Sequence, residues 1–276
     1  MIDSVNGNII DGQNDHLKRH RWEKFNDIHC HCLPGLDDGP ATMSESLALC
    51  QKLVGDGIAA VAATPHQLGR FEGCNEPERV REAVHNLNEV VKNNGVPLKI
   101  VPGGEIRVDE RICELLEADK ILTLADGGKY ILLELPYLVF IDIEPLLTEL
   151  AYMGIQSVIA HAEKIASLAI QHQVVLRWLE HSTHLQITAS GLLGDFGPEV
   201  QRAAWYFLTS GWATLVATDS HDMNVRRPRM RAAFERISNR LGEDLARLVC
   251  IENPSRVING QDILPVSLYD QLEADR

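Results

Sequence analysis

His29 and His31 stand two residues apart in Asp27-Ile-His-Cys-His-Cys-Leu-Pro-Gly-Leu-Asp-Asp-Gly39. In an extended strand, residues i and i+2 point to one face. The spacing therefore predicts two imidazoles projecting together, with Cys30 and Cys32 on the opposite side. Pro34-Gly35 breaks the strand, and Asp37-Asp38-Gly39 makes a turn at its C-terminal end. Two imidazoles and the Asp38 carboxylate at one strand mouth form the beginning of a metal site. Further donors of the same kind recur along the chain: His66, Glu105, Glu134, His161, Asp219 and His221. Together they make five histidines and four carboxylates from six strand ends. Buried imidazoles and carboxylates without partners cost several kcal/mol each, so a cluster of them is best neutralised by cations. Nitrogen and oxygen donors without thiolate suit Mn²⁺, Fe²⁺ or Zn²⁺. Nine donors are too many for one ion and fit two or three ions that share carboxylates.

The elements that must position these residues alternate regularly. After the opening strand, Thr42-Met-Ser-Glu45 is a capping box. The helix it opens runs to about residue 56, with Gly57 as its stop. Strands are expected over 58–64, 98–102, 129–135, 157–160, 185–190 and 214–218. Helices are expected over 77–93, 112–118, 143–153, 174–181 and 198–210, with Pro77 and Pro198 in favourable first-turn positions. Residues 67–76 read as a loop. The tail is helical over 229–240 and 243–250, before Glu252-Asn-Pro254. About seven strand–helix units imply a parallel barrel or a doubly wound sheet. Donors at the C-terminal ends of many strands favour the barrel, because only a barrel lets them converge on one point. A doubly wound sheet would carry a Gly-rich phosphate loop, and the sequence has no G-x-G-x-x-G or G-x-x-x-x-G-K-[ST].

Composition narrows the class. The chain has 276 residues, 45% of them hydrophobic, which suits one barrel or two small domains. A net charge of -13 argues against a nucleic-acid partner, so an anionic substrate must find local positive charge. Six cysteines without a C-x-x-C pair read as reduced thiols of a cytoplasmic protein. Residues 1–22 lack the apolar core of a signal peptide, and there is no apolar run long enough to span a membrane. The expected layout is a flexible N-terminal extension over 1–25 and a single barrel domain over 26–276.

The segments DIHCHCLPGLDDG, ATPH, GGEIR, LLELP, IAHAEK, LQITASGLLG and ATDSH resemble the polymerase-and-histidinol-phosphatase (PHP) superfamily. Within it the chain is most similar to the bacterial protein-tyrosine phosphatases of capsule and exopolysaccharide operons, over roughly 26–260. The resemblance implies a distorted (β/α)7 TIM-like barrel with a trinuclear, usually manganese-containing site. It implies one metal on His29, His31, Glu105 and Asp219, and a second on Glu105, Glu134 and His161 with Glu105 bridging. A third would sit on Asp38, His66 and His221. Its implied substrate is the phosphorylated tyrosine tail of a bacterial tyrosine kinase, and it leaves oligomerisation open. Phosphate-monoester hydrolysis fits such a centre, since paired metals activate water and offset phosphoryl charge. A tyrosine phenolate, with a pKa of about 10, leaves without a strong general acid. The resemblance also implies a cationic phosphate clamp. Arg226 matches the family's arginine by count and Arg227 by its pairing with Pro228, which gives Arg227 a slight preference. Lys164 stands where relatives commonly carry an arginine, so the charge is kept and the planar fork is lost. Glu163 reads as structural.

Three rival readings have distinct signatures. Cys250 and Arg256 match the bare C-x5-R spacing of cysteine phosphatases, but the loop between them has no glycine to bring its amides together. A histidinol-phosphate or other small-molecule phosphatase would share the metal site. A non-catalytic metal-binding sensor of a kinase tail would keep the donors without turnover. Phe71, Tyr137 and Phe140 are candidates to line the mouth or merely to cover the barrel top.

Overall fold

In the computed structural model, residues 24–266 are described. The expected extension lies outside them except for its last two residues, and the first strand begins at Phe25. Nine parallel strand segments follow: β1 Phe25–Cys30, β2 Ile58–Ala63, β3 His66–Gln67, β4 Lys99–Pro102, β5 Glu105–Arg107, β6 Tyr130–Glu134, β7 Gln156–Ile159, β8 Thr183–Thr188 and β9 Ala213–Ala217. They pair in the orders β1-β2-β4 and β3-β5-β6-β7-β8-β9. Pro65 interrupts the run from β2 to β3, and Gly103-Gly104 interrupts β4 to β5. Joined across these breaks, the nine segments are seven strands. The ring closes where Asp219 N donates to His29 O (2.9 Å) and His31 N to Ser220 O (2.8 Å). The result is the expected seven-stranded barrel, split by its two broken strands.

Ten helices connect and cover the strands: α1 Met43–Gly55, α2 Pro77–Asn93, α3 Ile112–Glu117, α4 Glu144–Tyr152, α5 His172–Leu179, α6 Ala189–Leu193, α7 Pro198–Thr209, α8 Met230–Leu241, α9 Glu243–Arg247 and α10 Asn253–Ile258. The capping box forms as read: Thr42 Oγ1 accepts from Glu45 N, and Glu45 Oε2 accepts from Thr42 N. Gly57 follows the helix at φ +97°, a conformation that suits glycine. Along α2, Val80, Val84, Leu87 and Val91 recur at helical spacing and are all buried.

Most boundaries fall within a residue of the sequence reading, and three elements differ by more. The strand expected to reach Ser190 stops at Thr188, whose hydroxyl accepts from Gly191 N (3.0 Å) and starts α6. The helix expected over 174–181 runs His172–Leu179. The tail does not end its helix at Cys250. It passes through a π-helical turn, Leu248–Glu252, into α10.

The barrel interior below the mouth is apolar. Ile28, Leu132, Val158 and Leu215 meet there, with Val257 and Leu124 in the same cluster. Each fully buried side chain of this size contributes roughly 2 kcal/mol. The outward residues of the same strands pack under the helices, among them Cys30, Ile131, Leu133, Ile159 and Val216. Strand β1 carries a register shift between Asp27 and Cys30. Three residues there match two on β2, so Ile28 faces the apolar interior and His29 still reaches the site. Asn253 ties the tail to the barrel, donating from Nδ2 to Thr214 O (3.0 Å) and Leu264 O (2.9 Å) while Oδ1 accepts from Leu264 N (2.9 Å). Removing a buried amide with three such bonds leaves backbone groups unpaired. Asn253→Ala should lower stability by about 3 kcal/mol in a urea titration. An unchanged midpoint would show that the tail is not anchored this way.

Candidate metal centre

Four donor atoms converge where β1 meets the ends of β5 and β9. His29 Nε2 and His31 Nε2 lie 3.2 Å apart. Glu105 Oε2 is 3.4 Å from the first and 3.3 Å from the second. Asp219 Oδ1 is 3.5 and 3.7 Å away from them. The tautomers of the two histidines follow from their other nitrogens. His29 Nδ1 faces Gln186 Oε1 (3.0 Å), an acceptor fixed in place by the backbone N–H of His161 (3.1 Å). His31 Nδ1 faces Asp37 Oδ2 (2.6 Å), which also accepts from His66 N (3.1 Å). Both Nδ1 atoms therefore donate, and in the neutral rings both Nε2 atoms present lone pairs to each other and to two carboxylates. Four lone pairs this close repel unless a cation lies among them. The separations are those of tetrahedrally placed donors about 2.0–2.3 Å from a common centre, the range of nitrogen and oxygen metal ligands.

The remaining donors extend the cluster. Glu105 Oε1 lies 2.8 Å from His161 Nε2, so the two oxygens of one carboxylate face different imidazoles. His66 Nδ1 is 2.9 Å from Glu105 Oε2 and 3.8 Å from Glu134 Oε2. Asp38 Oδ1 lies 3.4 Å from His66 Nε2 and 3.3 Å from His221 Nε2. Donor atoms close enough to share an ion occur in four overlapping sets: His31, Asp38, His66 and His221; His29, Glu105 and His161; His29, His31 and Asp219; His66, Glu105 and Glu134. All nine residues singled out from the sequence are thus brought together. Buried Glu105 Oε2 and His221 Nε2 have no hydrogen-bond partner among the described residues, as expected of atoms facing a cation.

Local backbone geometry aims these side chains. His161 and Asp219 adopt left-handed φ values of 34° and 52°, unusual for residues with a Cβ. Such conformations cost about 1–3 kcal/mol each and turn the chain sharply at the ends of β7 and β9. Asp27 holds the same corner from behind, accepting from His29 N, Thr218 N and the Thr218 hydroxyl. Asp37, Gln186 and Asp27 had no assigned role from sequence. Asp37 and Gln186 share a recognisable signal, a polar residue in register beside a ligand-type histidine.

A cavity of about 560 Å³ opens above the donors. Its walls include Asp38, His66, Glu105, Glu134 and His161, with Arg70, Arg107, Arg226, Phe71 and Tyr137. Arg226, not Arg227, reaches the centre. Its Nη2 donates to Asp219 Oδ1 (2.9 Å), and its Nη1 lies 3.5 Å from Asp38 Oδ2. Asp222 folds the preceding turn by accepting from Asn224 N, Val225 N and Arg226 N, which swings Arg226 inward. Arg227 instead donates to Asn224 O (3.4 Å) and does not line the cavity, so the slight preference for it fails on placement. Lys164 Nζ donates to Asp219 Oδ2 (2.7 Å) and lies 4.4 Å from the Phe196 ring centre. Glu163 is structural: its Oε1 accepts from Thr188 N (2.8 Å) and Thr188 Oγ1 (2.6 Å). Phe71 stacks on His66 with ring centres 5.3 Å apart, and the Tyr137 hydroxyl is 3.4 Å from His161 Nε2. Phe140 packs against Trp178 instead of lining the mouth. Cys250 is buried in the π-helical turn and Arg256 donates to Asp262 O (3.1 Å), so no phosphate loop forms between them.

The electrostatics follow from this crowding. Burial alone would raise Glu105, but His29, His161 and His31 hold its carboxyl well below the usual range. Burial is likewise overcome at Asp219 by Lys164, His29 and Arg226. Burial opposes charge on His31, yet Asp37 and Glu105 lift it to about 9. His66, with Asp38 and Glu105 outweighing its burial, rises to about 10. Burial and the neighbouring His31 push His221 down to about 4. In the metal-free protein, protons on His31 and His66 therefore stand in for cations at neutral pH.

A closed parallel barrel with carboxylate and imidazole donors clustered at its C-terminal mouth is the architecture of a metal-dependent hydrolase. The chain belongs to the capsular polysaccharide synthesis CpsB/CapC family, whose model matches residues 25–259. It is 31% identical over 239 residues to the tyrosine-protein phosphatase YwqE of Bacillus subtilis, covering 86% of this chain and 92% of that one. It is 29% identical over 248 residues to the tyrosine-protein phosphatase CpsB of Streptococcus agalactiae serotype III, covering 86% and 99%. A solved structure described among the YwqE and CpsB "unique metal-dependent tyrosine phosphatases" superposes with a TM-score of 0.82 at 30% identity, over 87% of this chain and 97% of that one. A Lactococcus lactis histidinol phosphate phosphatase shares the fold, with a TM-score of 0.53 at 14% identity over 81% and 94% of the two chains.

Two outcomes test the centre. His31 and His66 carry protons at pH 8 when metal is absent, and a metal needs their lone pairs. Metal binding at pH 8 should release protons, seen as a buffer-dependent heat in calorimetry, and affinity should rise with pH towards the two pKa values. A heat independent of buffer would contradict the proton placement. Asp37→Ala frees the His31 ring and should weaken metal binding by about 10–100-fold by competition with a chromogenic chelator.

Proposed function

We propose that this protein is a metal-dependent protein-tyrosine phosphatase that regulates polysaccharide synthesis. The observation that carries the reading is the convergence of four lone-pair donors, His29, His31, Glu105 and Asp219, beneath a cavity with three arginines in its wall. Three divalent cations would be held. His29, His31, Glu105 and Asp219 take one; Glu105, Glu134 and His161 take the second; Asp38, His66 and His221 take the third. The opposed directions of the two Glu105 oxygens support its bridging role. Manganese suits this mixed imidazole–carboxylate set, with iron or zinc as substitutes. When bound, such cations supply an activated water and offset charge on the phosphoryl group.

The chain's own residues orient the substrate. Arg226 presents its guanidinium at the cavity wall and serves as the phosphate clamp, with Lys164 reinforcing the charge through Asp219. Phe71 and Tyr137 offer flat walls for an aromatic ring. Among the described residues, the carboxyls pushed upward, chiefly by burial, are Asp27, Asp56 and Glu163. None of them lines the cavity, so none is placed to protonate a departing alkoxide. A phenolate, with a pKa of about 10, departs without that help, which favours phosphotyrosine over an alkyl phosphate such as histidinol phosphate. The phosphorylated tail of a bacterial tyrosine kinase is the substrate this reading implies. A cytoplasmic location fits the six cysteines, none of which is in a disulfide. Among the described residues no helix is long and apolar enough to cross a membrane.

Metal analysis and turnover of a phosphotyrosine peptide, L-histidinol phosphate and p-nitrophenyl phosphate test the reading together. The metal-loaded protein should hydrolyse the two aryl phosphates well and histidinol phosphate poorly. His29→Ala/His31→Ala should lower kcat/KM by more than about 100-fold. Wild-type activity in that double variant would overturn the mechanism. Preference for histidinol phosphate would move the protein to the small-molecule class. Bound metal without turnover from neutral to alkaline pH would make it a binding protein.

A further inference from the structure

Eleven large apolar side chains stand exposed among the described residues. Eight of them lie on connections that leave the C-terminal ends of strands, the face on which the cavity opens. Soluble proteins rarely gather exposed apolar side chains on one face without an interaction to cover them. The two most exposed of these eight are joined directly to cavity residues. Leu138, 98% exposed, follows Tyr137; Val225, 86% exposed, precedes Arg226. Phe196, on a third connection, packs against the ammonium of Lys164, which in turn holds Asp219. Arg70, 70% exposed, adds positive charge to the same rim on a chain whose net charge is -13.

We propose that this apolar collar is a docking surface for the polypeptide that carries the phosphotyrosine, engaging apolar side chains on either side of it. The inference rests on the phosphotyrosine reading above. A peptide fits both parts of the surface: its phosphate meets the arginines Arg70, Arg107 and Arg226 in the cavity wall, and its flanking side chains cover Leu138 and Val225. A second copy of this chain would seal the cavity and bring a like net charge against it. An anionic membrane surface would be repelled by the same charge. Recognition thus has two layers, with the cavity selecting the phosphorylated ring and the collar selecting the sequence around it.

The metal-loaded protein and a Leu138→Ser/Val225→Ser variant distinguish these cases. Each is assayed on p-nitrophenyl phosphate and on two phosphotyrosine peptides, one with leucine and valine beside the phosphotyrosine and one with serine there. The wild type should prefer the apolar peptide by about tenfold in kcat/KM, mostly through KM. The variant should lose that preference and keep its p-nitrophenyl phosphate turnover within about twofold. No preference in the wild type, or a preference the variant retains, overturns the collar. So does a wild-type dimer that the variant converts to monomer, by light scattering, without a change in peptide kinetics. Co-sedimentation with phosphatidylglycerol vesicles and no peptide preference overturns it in favour of a membrane. Turnover of p-nitrophenyl phosphate with neither peptide hydrolysed removes the phosphotyrosine reading itself, and the collar with it.

Discussion

Two imidazole nitrogens 3.2 Å apart, each turned toward the other and toward two carboxylates, are the constraint around which this molecule is arranged. Nothing in water or in an apolar core would favour that contact. It persists because each ring is held from behind, His29 by Gln186 and His31 by Asp37. The opposing carboxylates are held as well. Glu105 sits in the strand next to His66, and Asp219 is gripped by Lys164 and Arg226. Preorganisation of this kind stores the cost of gathering like donors in the fold, and a cation recovers it on binding. Without one, protons on His31 and His66 take part of that role, which explains why their pKa values are raised although both are buried or half-buried.

The barrel divides its interior along the strand direction. Near the base, inward residues such as Ile28, Leu132, Val158 and Leu215 make an apolar plug. One or two steps along the same strands, inward positions become Glu134, Asp219 and His161. A period of two keeps Glu134 and Asp219 on the face of Leu132 and Leu215, while His161, three residues past Val158, is brought round by its left-handed turn. The dry floor denies the charged groups water from below and strengthens their mutual interactions. Cys30 and Cys32 alternate with the two histidines and are buried beneath the helices, where they cannot offer soft ligands to the site. The centre is thus limited to nitrogen and oxygen donors by strand alternation alone.

Positive charge is local and specific on a strongly acidic chain. Arg70 and Arg226 enter the cavity wall from two different connections and Arg107 from the end of β5, while Lys164 acts from beside Phe196. Such placement lets a dianionic group approach a protein that would repel it elsewhere. The curated relatives align with most of the chain's length, and the solved structure shares its barrel. The exposed collar around the mouth is a separate feature, drawn from where the apolar side chains fall.

Sequence by itself determined the parts governed by short-range rules. Alternation set the faces of His29 and Cys30, and the capping box and prolines set helix starts. Strand–helix repetition set a parallel α/β fold, and donor types at strand ends favoured the barrel and picked out the nine residues that cluster at its mouth. Tertiary structure decided what depends on distance. The β1 register shift, the broken strands at Pro65 and Gly103-Gly104, and the left-handed turns at His161 and Asp219 leave no periodic signal, because each departs from the regular alternation that a periodic reading detects. The same holds for Arg226. Counting along the chain left it level with Arg227, and only the Asp222 turn, folding three amides onto one carboxylate, turned Arg226 inward and left its neighbour outside. Local patterns name the donors; closing the barrel fixes which atoms meet, since that is when strands far apart in sequence acquire a common register.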